Sequence, residues 1–246
     1  MSLKKHLEEL EAFRANDNEP GIANACFRIG DLFLSKGKWS DAKEYLREAK
    51  AICGKLGNEE GSALTAIGLG DVYRNTKNLE TARSHYEQAL NFFEKEGNEK
   101  KIANLMERLG DLSREQGDLS RAMESFARAR FICENHGDEI GTAHFTERMA
   151  LVHRQQENFG LAIECFQQAL SYYEQHRVPD RLAFVLTGLG ELHYKTGQPQ
   201  EALDYLNRAL HIYRRLGAGE LAELIAAEIL AIEAKLQEKD KGVQED

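Results

Sequence analysis

At 246 residues the chain is about 1.6 times a typical domain length, which allows one domain or two. It is 30% charged and 42% hydrophobic with 3 prolines, a composition that favours helix, and its net charge of −9 argues against a basic footprint for nucleic acid or an anionic membrane surface. No apolar run approaches the roughly 20 residues that span a bilayer, MSLKKHLEEL is not a signal segment, and Cys26, Cys53, Cys133 and Cys165 form no C-x-x-C pair, so reduced core thiols in a cytoplasmic protein without direct membrane insertion are expected.

In chain order, a lone helix is expected over 3–16, where Leu10 and Phe13 stand in phase with later apolar residues. A 40-residue unit then recurs over 20–57, 60–97, 100–137, 140–177 and 180–217. Alanine returns at Ala23, Ala63, Ala103, Ala143 and Ala183, and again at Ala42, Ala82, Ala122, Ala162 and Ala202. Gly30, Gly70, Gly110 and Gly190 keep the same period, with Ala150 in the fourth slot, and Leu46, Tyr86, Phe126, Phe166 and Leu206 supply the large partners. Each unit reads as two helices. A glycine (Gly57, Gly97, Gly137, Gly217) closes the second, an Asn or Asp (Asn58, Asn98, Asp138) caps the next first helix, and Pro199 opens a helix. A last helix over 219–237 and a disordered polar tail over 238–246 complete a single array, 1–237.

The run Leu69-Gly70-x-x-Tyr73 followed by Ala82, Tyr86 and Ala89 carries a resemblance to the tetratricopeptide repeat (TPR). With a 40-residue unit in place of the usual 34, the chain resembles the LGN/Pins class of adaptors and, more loosely, kinesin light chain. The resemblance implies an all-α fold: a right-handed superhelix, or α-solenoid, of paired antiparallel helices whose first helices line a concave groove.

Chemistry is sparse. His153 and His193 share one slot, occupied earlier by Phe33 and Tyr73, and read as interior packing residues rather than zinc ligands. No nucleophile stands beside a base, Gly68-x-Gly70 and Gly188-x-Gly190 lack the strand a phosphate loop needs, and neither enzyme activity nor a cofactor is expected.

The groove is where function is expected. Counting Ala23 and its equivalents as position 1, positions 1, 4, 7, 8 and 11 face the core and 2, 5, 9, 12 and 13 the groove, with 6 at its edge. Position 9 is acidic (Asp31, Asp71, Asp111, Glu191) except at Leu151. Arg74, Arg114 and Arg154 occupy position 12, and Arg28, Arg108 and Arg148 occupy position 6. Two readings stay open and are compatible: an ion-pair lattice, and arginines that receive carboxylates of a bound peptide. Arg154, facing Leu151, is expected to be the least neutralised cation. Asn24, Phe27, Leu64 and Ile67 furnish one end of the groove, Asn104, Glu107, His144 and Glu147 a polar middle, and Leu151, Phe184 and Tyr194 the other end. Helices about 10 Å apart, against 3.3 Å per extended residue, accommodate roughly 15 residues of peptide.

The chaperone-type carboxylate clamp is not expected, because its lysines are absent where Phe27 and Asp31 or Ile67 and Asp71 stand. A scaffold or adaptor holding an extended or helical, acidic and partly hydrophobic segment of a protein partner is expected. The rivals are a homo-oligomeric scaffold in which the 3–16 helix docks on a neighbouring copy, and a peptide-sensing regulator.

Overall fold

The computed structural model describes residues 3–244, with side chains through Glu238, and resolves them into twelve helices and no strand among the described residues. They are α1 (Leu3–Ala15), α2 (Glu19–Ser35), α3 (Trp39–Lys55), α4 (Glu59–Asn75), α5 (Leu79–Lys95), α6 (Glu99–Glu115), α7 (Leu119–Asn135), α8 (Glu139–Gln155), α9 (Phe159–His176), α10 (Pro179–Lys195), α11 (Pro199–Leu216) and α12 (Gly219–Gln244). The chain divides into two compact units, Met1–Ser125 and Phe126–Asp246, with the boundary inside α7.

The helix ends follow from local chemistry. The side chains of Asn58, Asn98 and Asp138 accept the backbone N–H of Gly61, Lys101 and Gly141 at 2.8, 3.1 and 2.8 Å, filling one orphan donor of each following helix. Gly57, at φ +66°, turns the chain through the left-handed region after α3, and Asn58 N–H closes the turn on Cys53 C=O at 2.9 Å. Pro199 stands at the first position of α11, where its missing N–H costs nothing.

Within the first unit, α2 pairs with α3 and α4 with α5, and α4 also packs back on α3. The period-40 glycines are contact points. A Cβ on Gly30 meets Leu46 Cγ at 2.7 Å, and a Cβ on Gly70 clashes with the Tyr86 ring. Lacking side chains, these glycines let the partner helix approach until the large residue fills the gap. The second unit repeats the device, with Gly190 2.6 Å from Leu206 Cγ by the same construction, while Ala150 stands fully buried in its own slot. The α1 helix covers the first pair through Leu10, buried among Ile29 and Leu46. In the second unit α12 covers α11 through Ala222, Ile225, Ile229 and Ile232.

First helices bury more than the expected stripe. Position 3 (Ala25, Thr65, Leu105, Phe145, Val185) is buried throughout, as is position 10 in Val72, Leu112, Val152 and Leu192. A first helix inside an array packs on its own partner and on the second helix before it, so its apolar arc is wider than a single stripe. The α12 helix runs to Gln244, beyond the expected end at 237; in the expected tail, 238–246, the side chains from 239 on lie outside the described residues.

Candidate functional site

In the first unit a cleft of about 480 Å³ opens between α2, the α3–α4 turn and α4. Asn24, Phe27 and Leu64 line it together with Pro20, Leu56 and Glu60, and Cys53 reaches it from α3. Asn24 is exposed, and Phe27 and Leu64 are half-buried, so the cleft offers apolar wall to solvent.

In the same unit Arg108 at position 6 and Arg74 and Arg114 at position 12 are held by carboxylates. Arg108 donates Nε to Asp71 Oδ1 at 3.0 Å and Nη1 to Asn104 Oδ1 at 2.5 Å. The buried Tyr86 donates its hydroxyl to the same Asp71 oxygen at 2.7 Å. Arg74 donates twice to Glu115 Oε1, at 2.8 and 2.6 Å, and lies 3.5 Å from Asp111 Oδ2; Arg114 stands 3.9 Å from Asp111 Oδ1. Burial works against the charge of Arg108, but attraction and bonding to Asp71 outweigh it and raise its pKa. Burial first, and the Asp71 charge second, push the Tyr86 phenol up as well.

The second unit holds His144, Arg148, Arg154, Phe184 and Tyr194. His144 stands edge-on to Phe145 with centroids 5.1 Å apart, Arg148 is half-buried on α8, and Phe184 is 39% exposed. Tyr194 accepts from Lys235 Nζ at 3.1 Å, with the ammonium 5.5 Å from its ring centroid.

Four residues depart from expectation here. Arg154 is not left un-neutralised: it donates to Glu191 Oε2 at 2.6 Å. Where Leu151 withholds the local acid, the arginine stem is long enough to take the acid of the following repeat, as Arg74 does with Asp111. Glu147 is not part of an open polar groove but 1% exposed, accepting from Tyr173 Oη at 3.0 Å and Arg181 Nη1 at 3.1 Å, and burial raises its pKa despite Arg181. Leu151 and Asp111 are likewise buried, at 7% exposure each. Glu147 and Leu151 are covered by the α9 and α10 helices that follow them in the chain.

Tyr86, Tyr173 and Arg181 were missed as polar partners. Their signal is chemical: a Tyr at a fully buried slot brings a hydroxyl that needs an acceptor. His153 and His193 are half-buried, and His193 stacks on Tyr205 with centroids 5.1 Å apart. The thiols of Cys26, Cys53 and Cys133 are free and buried, whereas Cys165 is only half-buried. Among the described residues no group of three His, Cys, Asp or Glu is placed to hold a metal ion, and no helix is long and apolar enough to cross a membrane.

Family models described as "Tetratricopeptide repeat" match residues 23–56, 61–135 and 141–215, more than half of the chain. No curated protein sequence matches it. Among solved structures it is similar to BtubC (BKLC) from P. vanneervenii, at 18% identity and a TM-score of 0.75 over 87% of this chain and 91% of that one. It is similar to aspartyl phosphate phosphatase F from Bacillus subtilis, at 14% identity and a TM-score of 0.78 over 92% of this chain and 58% of that one. It is also similar to the Rap conjugation gene regulator of the plasmid pLS20, solved in complex with the Phr* peptide, at 18% identity and a TM-score of 0.65 over 83% of this chain and 56% of that one. The matched repeats, together with the paired helices and the small-against-large contacts that join them, place this chain in the tetratricopeptide repeat family.

Proposed function

We propose that the chain is a non-enzymatic protein-interaction scaffold that holds an extended or helical segment of a partner on the inner faces of its first helices. The supporting observation is the cleft of about 480 Å³ in the first unit, which gathers the varied positions Asn24 (exposed) and Phe27 and Leu64 (half-buried) above a buried repeat core. Phe27 and Leu64 supply an apolar anchor. Arg74 and Arg108, already oriented by Glu115 and Asp71, exchange part of those bonds for carboxylates of an acidic ligand. The Rap regulator solved with its peptide supports peptide capture as a use of this fold. Cytoplasmic residence and an adaptor role belong to the same proposal.

The test is a crosslinking pulldown with the intact chain and with Phe27→Ser/Leu64→Ser. Partners held by the intact chain and lost by the variant support the reading; an unchanged partner set overturns it. A second reading, self-assembly, is favoured by Leu221, Leu224 and Leu230 of α12, which stand 46%, 64% and 65% exposed. Sedimentation across a concentration series decides it, since a strict monomer removes that reading.

A further inference from the structure

The second unit carries a cleft that the inner-face reading does not use. It measures about 440 Å³ and lies between the C-terminal ends of α9 and α11 and the start of α10. Pro179, Leu182, Ile212 and Leu216 wall it, and Arg177 and Arg215 stand at its rim. Neither arginine has an ion-pair partner among the described residues. The cleft's one acid, Glu174, is engaged by Arg208 at 2.5 Å, so the rim is left with two uncompensated positive charges in a chain of net charge −9.

Arg177 also departs from the repeat. Its slot is glycine at Gly57, Gly97, Gly137 and Gly217, where the chain turns through positive φ; Arg177 adopts the same turn at φ +53°, as Asp17 does at φ +49° ahead of the first repeat. A non-glycine residue in that region costs about 1 kcal/mol, so a glycine here suits the fold at least as well as the arginine.

We propose that this cleft is a second ligand site, for a peptide segment that presents one apolar side chain beside a carboxylate. Charge complementarity selects the anion, and the forked guanidinium geometry suits a carboxylate. The cleft is shallow: Leu216 is 44% exposed even as part of the wall. It therefore covers a side chain whose backbone stays outside and leaves a long acyl chain largely in water, which favours a peptide over a lipid. The site lies in the second unit and on different residues from the Phe27–Leu64 cleft, so either proposal can fail alone.

The experiment follows the 13C-labelled Ile212 methyl by NMR in the intact chain as N-acetyl-Asp-Leu-Glu-amide is added, with N-acetyl-Asn-Leu-Gln-amide as the uncharged control. Saturable Ile212 shifts with a dissociation constant in the millimolar range are expected for the acidic peptide alone. Arg177→Gly/Arg215→Gln is expected to weaken binding at least about tenfold, equivalent to about 1.4 kcal/mol, while remaining folded by thermal melt. Absence of Ile212 shifts, equal response to the control, or unchanged affinity in a folded variant overturns the proposal. A role confined to closing the helix ends moves the melting temperature and leaves no peptide response to lose.

Discussion

Tyr86 and Asp71 are joined by a hydrogen bond of 2.7 Å that ties a fully buried second-helix ring to an inner-face acid, and the same oxygen of Asp71 receives Arg108 at 3.0 Å. One carboxylate thus anchors the core on one side and orients a groove arginine from the next repeat on the other. Tyr86→Phe removes the first bond and keeps the ring. Hydrogen bonds to charged groups contribute about 1.5–3 kcal/mol, and Asp71 keeps Arg108, so a loss of about 1–2 kcal/mol is expected in urea unfolding of the variant. A loss below about 0.5 kcal/mol would show that the hydroxyl contributes nothing beyond what water supplies.

Gly70→Ala tests the packing that sets the repeat. The added methyl clashes with the Tyr86 ring, which is fully buried and cannot swing away without breaking its bond to Asp71. Overpacking of this kind costs about 1–3 kcal/mol, visible as a lower thermal midpoint. Gly54→Ala meets nothing within 4 Å and serves as the control, with stability equal to or slightly above the parent.

The contrast between those glycines shows what the sequence carried. The period-40 glycines, alanines and large residues located the helix pairs and their close contacts, because one small-against-large contact must recur wherever the same two helices pack. The inner face was less legible. Asn24, Phe27 and Leu64 line one cleft, but Glu147 and Leu151 were placed in the open, because a single-helix projection omits Tyr173 of α9 and Arg181 of α10, which reach Glu147, and the α9–α10 core that takes in Leu151. Arg154 was misjudged because its partner, Glu191, lies 37 residues away and is reached by side-chain length, not by helical register.

The buried Glu147 gives a pH dependence of definite sign. Burial raises its carboxyl pKa in the folded chain above the ordinary value, even beside Arg181, so between those two pKa values the folded state holds the proton more tightly than the unfolded state. The Glu147 contribution to stability is therefore greatest at acid pH and falls as pH rises from the ordinary carboxyl range through the raised pKa. Glu147→Gln, which keeps a side-chain acceptor for Tyr173 and Arg181, is expected to flatten that slope in denaturation curves taken across the range. An unchanged slope would assign it to other groups.

His85 titrates in the opposite sense. Burial, then the charges of Lys50 and Arg47, lower its pKa to about 4, and its ring stacks on Tyr73 with centroids 5.4 Å apart. The imidazole is thus expected to stay neutral at a pH where an unfolded histidine is already charged, and its contribution, complete above about 6.5, is lost as pH falls toward 4. Lys50→Met raises the His85 pKa in an NMR titration of the ring; no change would leave burial and the Arg47 charge as the causes.

The central claim is that a partner lies against the inner face of the first helices. A photo-crosslinking residue placed at Phe27, in the cleft, is compared with one placed at the exposed Ser84 of α5, each tested with a native lysate and read by mass spectrometry. Capture of an acidic, partly hydrophobic segment at Phe27 and not at Ser84 is the expected result. Capture at Ser84 with none at Phe27 would contradict it.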